Sequence, residues 1–205
     1  MDPIHRLAQL FSEFPGIGTR QSKRFVYFLL KQNRGYISEL VRQIDALEQT
    51  ILECERCHRY FSKRFAAAGP VCGICGDEER DKDMLMVVEK DSDLDAIEKS
   101  GTYNGTYFVL GGTLPILDKE PEKRIRVKEL TQLIEEEYSD LKEVILACAV
   151  TPESEHTAEF VREYITPLAE TNFIKVTSLG RGLSTGTELE YSDAETLRYA
   201  LEGRK

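Results

Sequence analysis

Two Cys-x-x-Cys knuckles, Cys54-Glu55-Arg56-Cys57 and Cys72-Gly73-Ile74-Cys75, constrain the fold of this chain more than any other feature. Fourteen residues separate them, a loop that can bring four thiolates onto one tetrahedral ion, and an all-sulfur set suits zinc. A pair of disulfides is the rival use of four cysteines. The N-terminus Met1-Asp2-Pro3-Ile4-His5 lacks a secretory pattern, and a fifth cysteine, Cys148, has no mate. Both points suit a reducing, cytoplasmic setting. A redox pair of the thioredoxin kind needs one Cys-x-x-Cys beside a strand, not two bracketing a loop. The expectation is therefore one structural zinc ion on Cys54, Cys57, Cys72 and Cys75, with no open position for substrate or water. His58, next to Cys57, is read as a bystander.

The knuckles also divide the charge. Of a net −9 over 205 residues, residues 1–42 carry seven Lys/Arg against Asp2, Glu13 and Glu39, a net of +4 that leaves −13 for the rest. A basic head on an acidic body can bind phosphate locally while the whole chain stays soluble. Hydrophobic residues at 41% and charged residues at 31% are those of a soluble globular protein, and no apolar run approaches a membrane span.

Before the knuckles the pattern is helical. Ile4, Leu7, Phe11 and Phe14 share one face of a first helix. Pro15-Gly16-Ile17-Gly18 then forms a tight loop, Thr19 is positioned to cap a second helix, and Phe25, Phe28 and Leu29 form that helix's buried side. Arg20, Lys23 and Arg24 stand at its start, where glycines and free N–H groups favour an approaching phosphate. An ordinary turn between helices uses the same glycines; the basic cluster favours contact with a nucleic-acid backbone, without readout of base sequence. A third helix, entered at Ser38, carries Leu40, Ile44, Leu47 and Ile51. Arg56, Arg59, Lys63 and Arg64 between the knuckles are candidates to extend the basic surface.

After Asp83 the period changes to short apolar runs alternating with helices. Strands are expected at Met84–Val88, Thr106–Leu110, Glu143–Ala149 and Ile174–Thr177, with helices to about Lys99, over 127–138, and after a Thr151-Pro152 entry. Alternation of this kind predicts a mostly parallel, doubly wound sheet. Cys148 is read as a small buried hydrophobe inside a strand. Functional groups gather at the carboxyl ends of such strands, and Glu89, Glu153 and Glu155 are placed there. Three carboxylates can hold Mg²⁺, although glutamates in a first helical turn also satisfy the helix dipole without a metal.

The hairpin loop resembles the helix-hairpin-helix DNA-binding motif, and the acidic positions are similar to those of the Toprim domain, which pairs a glutamate with a later Asp-x-Asp. Hairpin, four-cysteine module and Toprim-like region in that order resemble the RecR family of bacterial recombination mediators. The likeness runs through Val87–Glu89, Ala96–Tyr103, Tyr107–Leu110, Leu114–Asp118, Glu143–Ala147, Thr151–Ala158, Arg181–Leu183, Gly186–Tyr191 and Ala200–Arg204. Departures are Lys119–Lys123 in place of a Gly-Ile-Gly-Pro-like turn, Ala149-Val150-Thr151 in place of Asn-Pro-Thr, Ser154 in place of glycine, and the insertion Phe65–Gly69. They count against a working Mg²⁺ site.

The resemblance implies a hairpin region over 1–53, a zinc finger over 54–75, a Toprim domain over 83–178 and a C-terminal segment over 179–205. It implies a non-enzymatic mediator of recombinational DNA repair that acts with RecO and RecF to load RecA on gapped or single-stranded DNA. A ring-shaped tetramer or a dimer is implied as well. On this reading Arg20, Lys23 and Arg24 touch phosphate, and Glu89, Glu153 and Glu155 face a basic partner. The competing class is a Mg²⁺-dependent Toprim nuclease or topoisomerase-like enzyme using the same three glutamates. No Gly-x-x-x-x-Gly-Lys-Ser/Thr loop supports ATP binding through Gly180–Tyr191.

Overall fold

A computed structural model describes residues 2–204 except Ala68, Lys119, Ser184, Thr185 and Thr187. Those five positions belong to the insertion, the departure after Asp118 and the Gly/Ser/Thr-rich stretch named above, and lie outside the described residues. The chain divides into two compact units, Met1–Ile51 and Leu52–Lys205.

The first unit contains α1 (Pro3–Ser12), α2 (Thr19–Leu30) and α3 (Arg34–Thr50). Asp2 caps α1 by accepting the Ile4 N–H at 3.2 Å. The chain then turns through Phe14-Pro15-Gly16-Ile17, where the Ile17 N–H donates to the Phe14 carbonyl at 3.0 Å. Gly16 has φ +74°, so proline and glycine occupy the two central positions of a type II turn. Phe11 meets Phe25 edge-on at 5.7 Å, while Ala8, Ser22 and Val26 bury themselves beside this aromatic contact. Phe28, expected inside, is 51% exposed and Val26 takes its place.

Asn33, not Ser38, begins α3, its side chain accepting the Tyr36 N–H at 2.9 Å. Gly35 lies inside the first turn, a residue that ordinarily argues against helix. No residue of α3 is buried.

The second unit opens with a two-stranded ribbon, β1 (Ile51–Glu53) and β2 (Tyr60–Ser62), that frames the first knuckle. Beyond the second knuckle lie β3 (Asp81–Val88), α4 (Asp91–Ser100), β4 (Gly105–Val109), α5 (Pro121–Arg124), α6 (Val127–Glu137), β5 (Glu143–Ala147), α7 (Pro152–Thr171), β6 (Lys175–Ser178) and α8 (Ala194–Glu202). The sheet is parallel throughout, in the order β4-β3-β5-β6. Alternation along β3 divides its side chains between two faces. Leu85 and Val87 join the cluster built with α6 and α7, through Val127, Leu130, Val161 and Ile165. Met86 and Val88 join Leu94 of α4 and Ile74 of the second knuckle on the other face. Helices and the cysteine module therefore cover the sheet on both sides, as buried parallel strands require.

Chain order reverses between β3 and β5, so the crevice at their carboxyl ends is the topological switch point. Cys148 lies one residue past β5 and is half-buried rather than enclosed in a strand.

Candidate functional site

The four cysteine sulfurs lie within 4.8 Å of one another, and all four residues are buried. Among the described residues this is the only such group of metal-ligating side chains. The Cys72 N–H donates to the Cys54 sulfur at 3.3 Å, and the Cys54 N–H to the Arg59 carbonyl at 2.9 Å, so the backbone winds around the sulfurs in two tight turns. Four thiolates this close repel one another, and they cannot all ionise without a cation among them. A dication removes that conflict by letting all four ionise together. The donor set fits a tetrahedral thiophilic metal ion. His58 is not in the group; its ring lies edge-on to Phe108 at 5.3 Å and its Nδ1 is 2.9 Å from a Glu53 carboxylate oxygen.

The module is built into the α/β unit. The Val109 N–H on the outer edge of β4 donates to the Cys57 carbonyl at 2.9 Å, so the first knuckle covers a strand edge that would otherwise be open. Arg56 pairs with Glu137 at 3.0 Å and Arg59 with Asp95 at 3.2 Å. Two of the four basic residues considered for phosphate contact are thus committed to holding the module on α6 and α4.

The hairpin is arranged differently. Arg20, Lys23 and Arg24 are exposed on the first two turns of α2, and none is paired with a carboxylate among the described residues. Arg24 reaches only the Gln21 side-chain oxygen, at 3.3 Å. α1 and α3 carry side-chain caps, but α2 begins at Gly18 with no side-chain cap and no acidic residue in its first turn. Thr19, expected as the cap, is the first helical residue. A Cβ added to Gly18 would meet nothing within 4 Å, and its φ of −82° suits any residue. Glycine is among the residues favoured at an N-cap, and the open space around it also leaves room for an outside group to approach the backbone closely. Gly18→Ser, which keeps a favoured N-cap, should leave the thermal midpoint within about 2 °C. Gly16→Val, at φ +74°, should instead lower the midpoint by several degrees.

At the carboxyl ends of the strands the three glutamates differ. Glu153 and Glu155 are exposed in the first turn of α7, which Thr151 caps by accepting the Ser154 N–H at 3.2 Å. Glu89 is 2% exposed, and its carboxylate accepts the Ala149 N–H at 3.2 Å. The register explains this: Val88 lies opposite Ala147, so the residue after β3 meets the segment after β5. The exposed acidic face therefore consists of Glu153 and Glu155, with Glu89 as an internal clasp. Burial, with the Glu89 and Asp93 charges, pushes the neighbouring Cys148 thiol up to about 12. Glu89→Gln keeps an acceptor for Ala149 and should hold its thermal midpoint. Glu89→Ala removes both that hydrogen bond and a buried side chain, leaving a cavity, and should fall by roughly 5 °C.

Matches to known proteins follow the same layout. Residues 83–179 match the Toprim domain model, and residues 182–205 match the model described as RecR, C-terminal. The "Recombination protein RecR" of Lactobacillus acidophilus is 33% identical over 98% of this chain and 96% of its own length. That of Chloroherpeton thalassium is 36% identical over 98% and 95%, and that of Roseiflexus sp. 35% over 99% and 93%. The chain belongs to the RecR family.

Departures from the RecR pattern are accommodated locally. Ser154, where the resemblance expects glycine, is buried and takes a hydrogen bond from the Thr151 hydroxyl at 2.9 Å. The partner of Glu155 escaped the sequence reading. Arg181, just past β6, lies 2.7 Å from its carboxylate and 2.9 Å from the Tyr199 hydroxyl. No local pattern signals a pair 26 residues apart; the only hint was that Arg181 belongs to the stretch resembling the family.

Proposed function

We propose that this chain is a DNA-binding mediator of recombinational repair with no catalytic step of its own. On this reading the hairpin grips the phosphate backbone, the four cysteines hold a structural zinc ion, and the Toprim face receives protein partners. The single observation that carries it is the contrast in how basic side chains are used. In the second unit arginine after arginine is tied to a carboxylate: Arg56, Arg59, Arg80, Arg124, Arg126, Arg181 and Arg198. In the first unit only Arg42 is so paired among the described Lys and Arg residues. Arg6, Arg20, Lys23, Arg24, Lys31 and Arg34 are left to meet an outside anion.

The acidic face favours a mediator over a nuclease. Glu89 accepts a backbone N–H and Glu155 faces Arg181, engagements that support a mediator over a Mg²⁺-dependent enzyme using the same glutamates. The partners in this reading are RecO and RecF, the outcome is RecA loading on gapped DNA, and the setting is cytoplasmic. No helix among the described residues is long and apolar enough to cross a membrane.

A ring or dimer is part of the same reading, and α3 supports it. Val41, Ile44 and Leu47 are 52%, 58% and 60% exposed along one helix, an apolar stripe that suits self-association. In a ring the basic hairpins would pool their charge while the acidic units repel one another. Two measurements test the proposal together. Affinity for gapped DNA should fall steeply with salt, and mass in solution should exceed that of one chain. Ile44→Glu with Leu47→Glu should reduce the mass to that of the monomer; an unchanged mass would remove α3 from the assembly. Cleavage of labelled DNA with Mg²⁺, lost in Glu89→Gln, would overturn the non-enzymatic reading.

A further inference from the structure

Between the knuckles the chain buries one aromatic ring and displays two. Alternation along β2 puts Phe61, 7% exposed, among the cysteines and leaves Tyr60 55% exposed. Phe65, which ends the short 3₁₀ turn Lys63–Phe65, is 59% exposed. We propose that Phe65, with Arg64 on its ring and Tyr60 as a second ring, is a stacking platform for the unpaired bases of single-stranded DNA. The inference rests on the DNA-binding reading above, and adds to it a contact with bases where the hairpin offers contacts with phosphate.

The turn that carries Phe65 is fastened to the second knuckle. Ala66 pairs with Cys72 in an antiparallel bridge, its N–H donates to the Lys63 carbonyl at 3.1 Å, and the Ala67 N–H donates to the Val71 carbonyl at 2.9 Å. The Phe65 carbonyl oxygen lies against Gly73, 3.4 Å from where a Cβ would stand. The Tyr60 N–H donates to the Asp91 carboxylate at 2.7 Å, which ties the second ring's backbone to α4. Both rings are thus held outward by ordered backbone, and little freedom is lost when a base settles on them.

Arg64 lies over the Phe65 ring, 4.5 Å from its centroid. Arg56 and Arg59 of the same loop pair with carboxylates, but Arg64 pairs with none among the described residues. A planar cation beside an aromatic ring offers two surfaces on which nucleobases stack, and its charge attracts the adjoining phosphate. His58 to Val71 contains no Asp or Glu, although the chain beyond residue 42 carries a net −13. That local charge favours a nucleic-acid strand over an apolar protein surface as the occupant.

The test compares, on the full chain, a fluorescently labelled oligo(dT) strand with an abasic strand of equal length, which keeps the phosphates and lacks the bases. Phe65→Leu keeps an apolar side chain without a π face. It should weaken oligo(dT) binding about tenfold, as the loss of one stacked base does, and leave binding of the abasic strand within about twofold. The chain has no tryptophan, so Phe65→Trp places a single reporter at the site. Its fluorescence should be quenched by oligo(dT) and not by the abasic strand. Wild-type affinity of Phe65→Leu for oligo(dT) overturns the platform and leaves the rings to a protein surface. Equal losses on both strands overturn it too, as does a Phe65→Trp protein that binds oligo(dT) without quenching; in all three cases the hairpin reading stands. An unaltered chain that binds neither strand overturns the DNA-binding reading itself, and the platform with it.

Discussion

Exchanging Cys72 for serine should lower the thermal midpoint by on the order of 10 °C and release the bound metal ion, read by metal analysis of the purified protein. The expectation follows from where the module sits. Structural zinc contributes about 10–16 kcal/mol to the folding of zinc-finger peptides, because so short a segment has no core of its own. Here the core around the sulfurs is Leu52, Phe61, Val71 and Ile74, and Ile74 also packs against the sheet cluster of Met86, Val88 and Leu94. If the cysteines hold an ion, its loss would be expected to open the knuckles, loosen Ile74 from that face and free the outer edge of β4, where the Val109 N–H meets the Cys57 carbonyl. A strong chelator applied to the native protein should reproduce the shift. Hydrogen exchange at Val109 is the sharper measurement, since its amide should lose protection in step with metal release. A metal-free Cys72→Ser protein that melts like the wild type would remove the ion from any structural role.

Replacing Lys23 and Arg24 together by glutamate should reduce affinity for gapped DNA at least a hundredfold near 0.1 M salt, and flatten its salt dependence. The fold is expected to persist. Both side chains are exposed, and the only partner of Arg24 is the Gln21 amide oxygen. Lys23 and Arg24 lie in the second turn of α2, beyond the stretch where the helix dipole weighs on charge, so carboxylates there leave the helix largely indifferent. A lost interaction with DNA in a protein whose thermal midpoint is unchanged or raised then reports on the phosphate contact alone. Affinity equal to wild type at moderate salt would exclude the hairpin as the DNA-binding element.

Legibility in the sequence followed how local each interaction is. The Pro15-Gly16 turn and the Thr151 cap rest on contacts within a few residues, while the paired Cys-x-x-Cys knuckles and the apolar runs of the four strands carry their pattern in the sequence itself, and each was readable. The burial of Glu89 was not, because it depends on β3 and β5 lying side by side, 60 residues apart in the chain. The same holds for Arg56 and Arg59, whose acidic partners lie on α6 and α4. Composition marked them as basic loop residues, and only the packing shows them neutralised. The start of α3 was hidden by Gly35, which broke the helical pattern although the Asn33 cap overcomes it. In each case the sequence carried the residue type, and the three-dimensional arrangement decided its partner.

The bond from Val109 to Cys57 also sets an order of events during synthesis. Residues 54–75 leave the ribosome before residues 105–109, so the knuckles can be loaded with metal before the strand they cap exists. β4 then emerges beside a finished edge instead of an open one, at the stage when a nascent sheet is most exposed to wrong pairing. Without an ion in the knuckles that edge would stay open while the sheet forms, leaving the nascent chain exposed to edge-to-edge pairing.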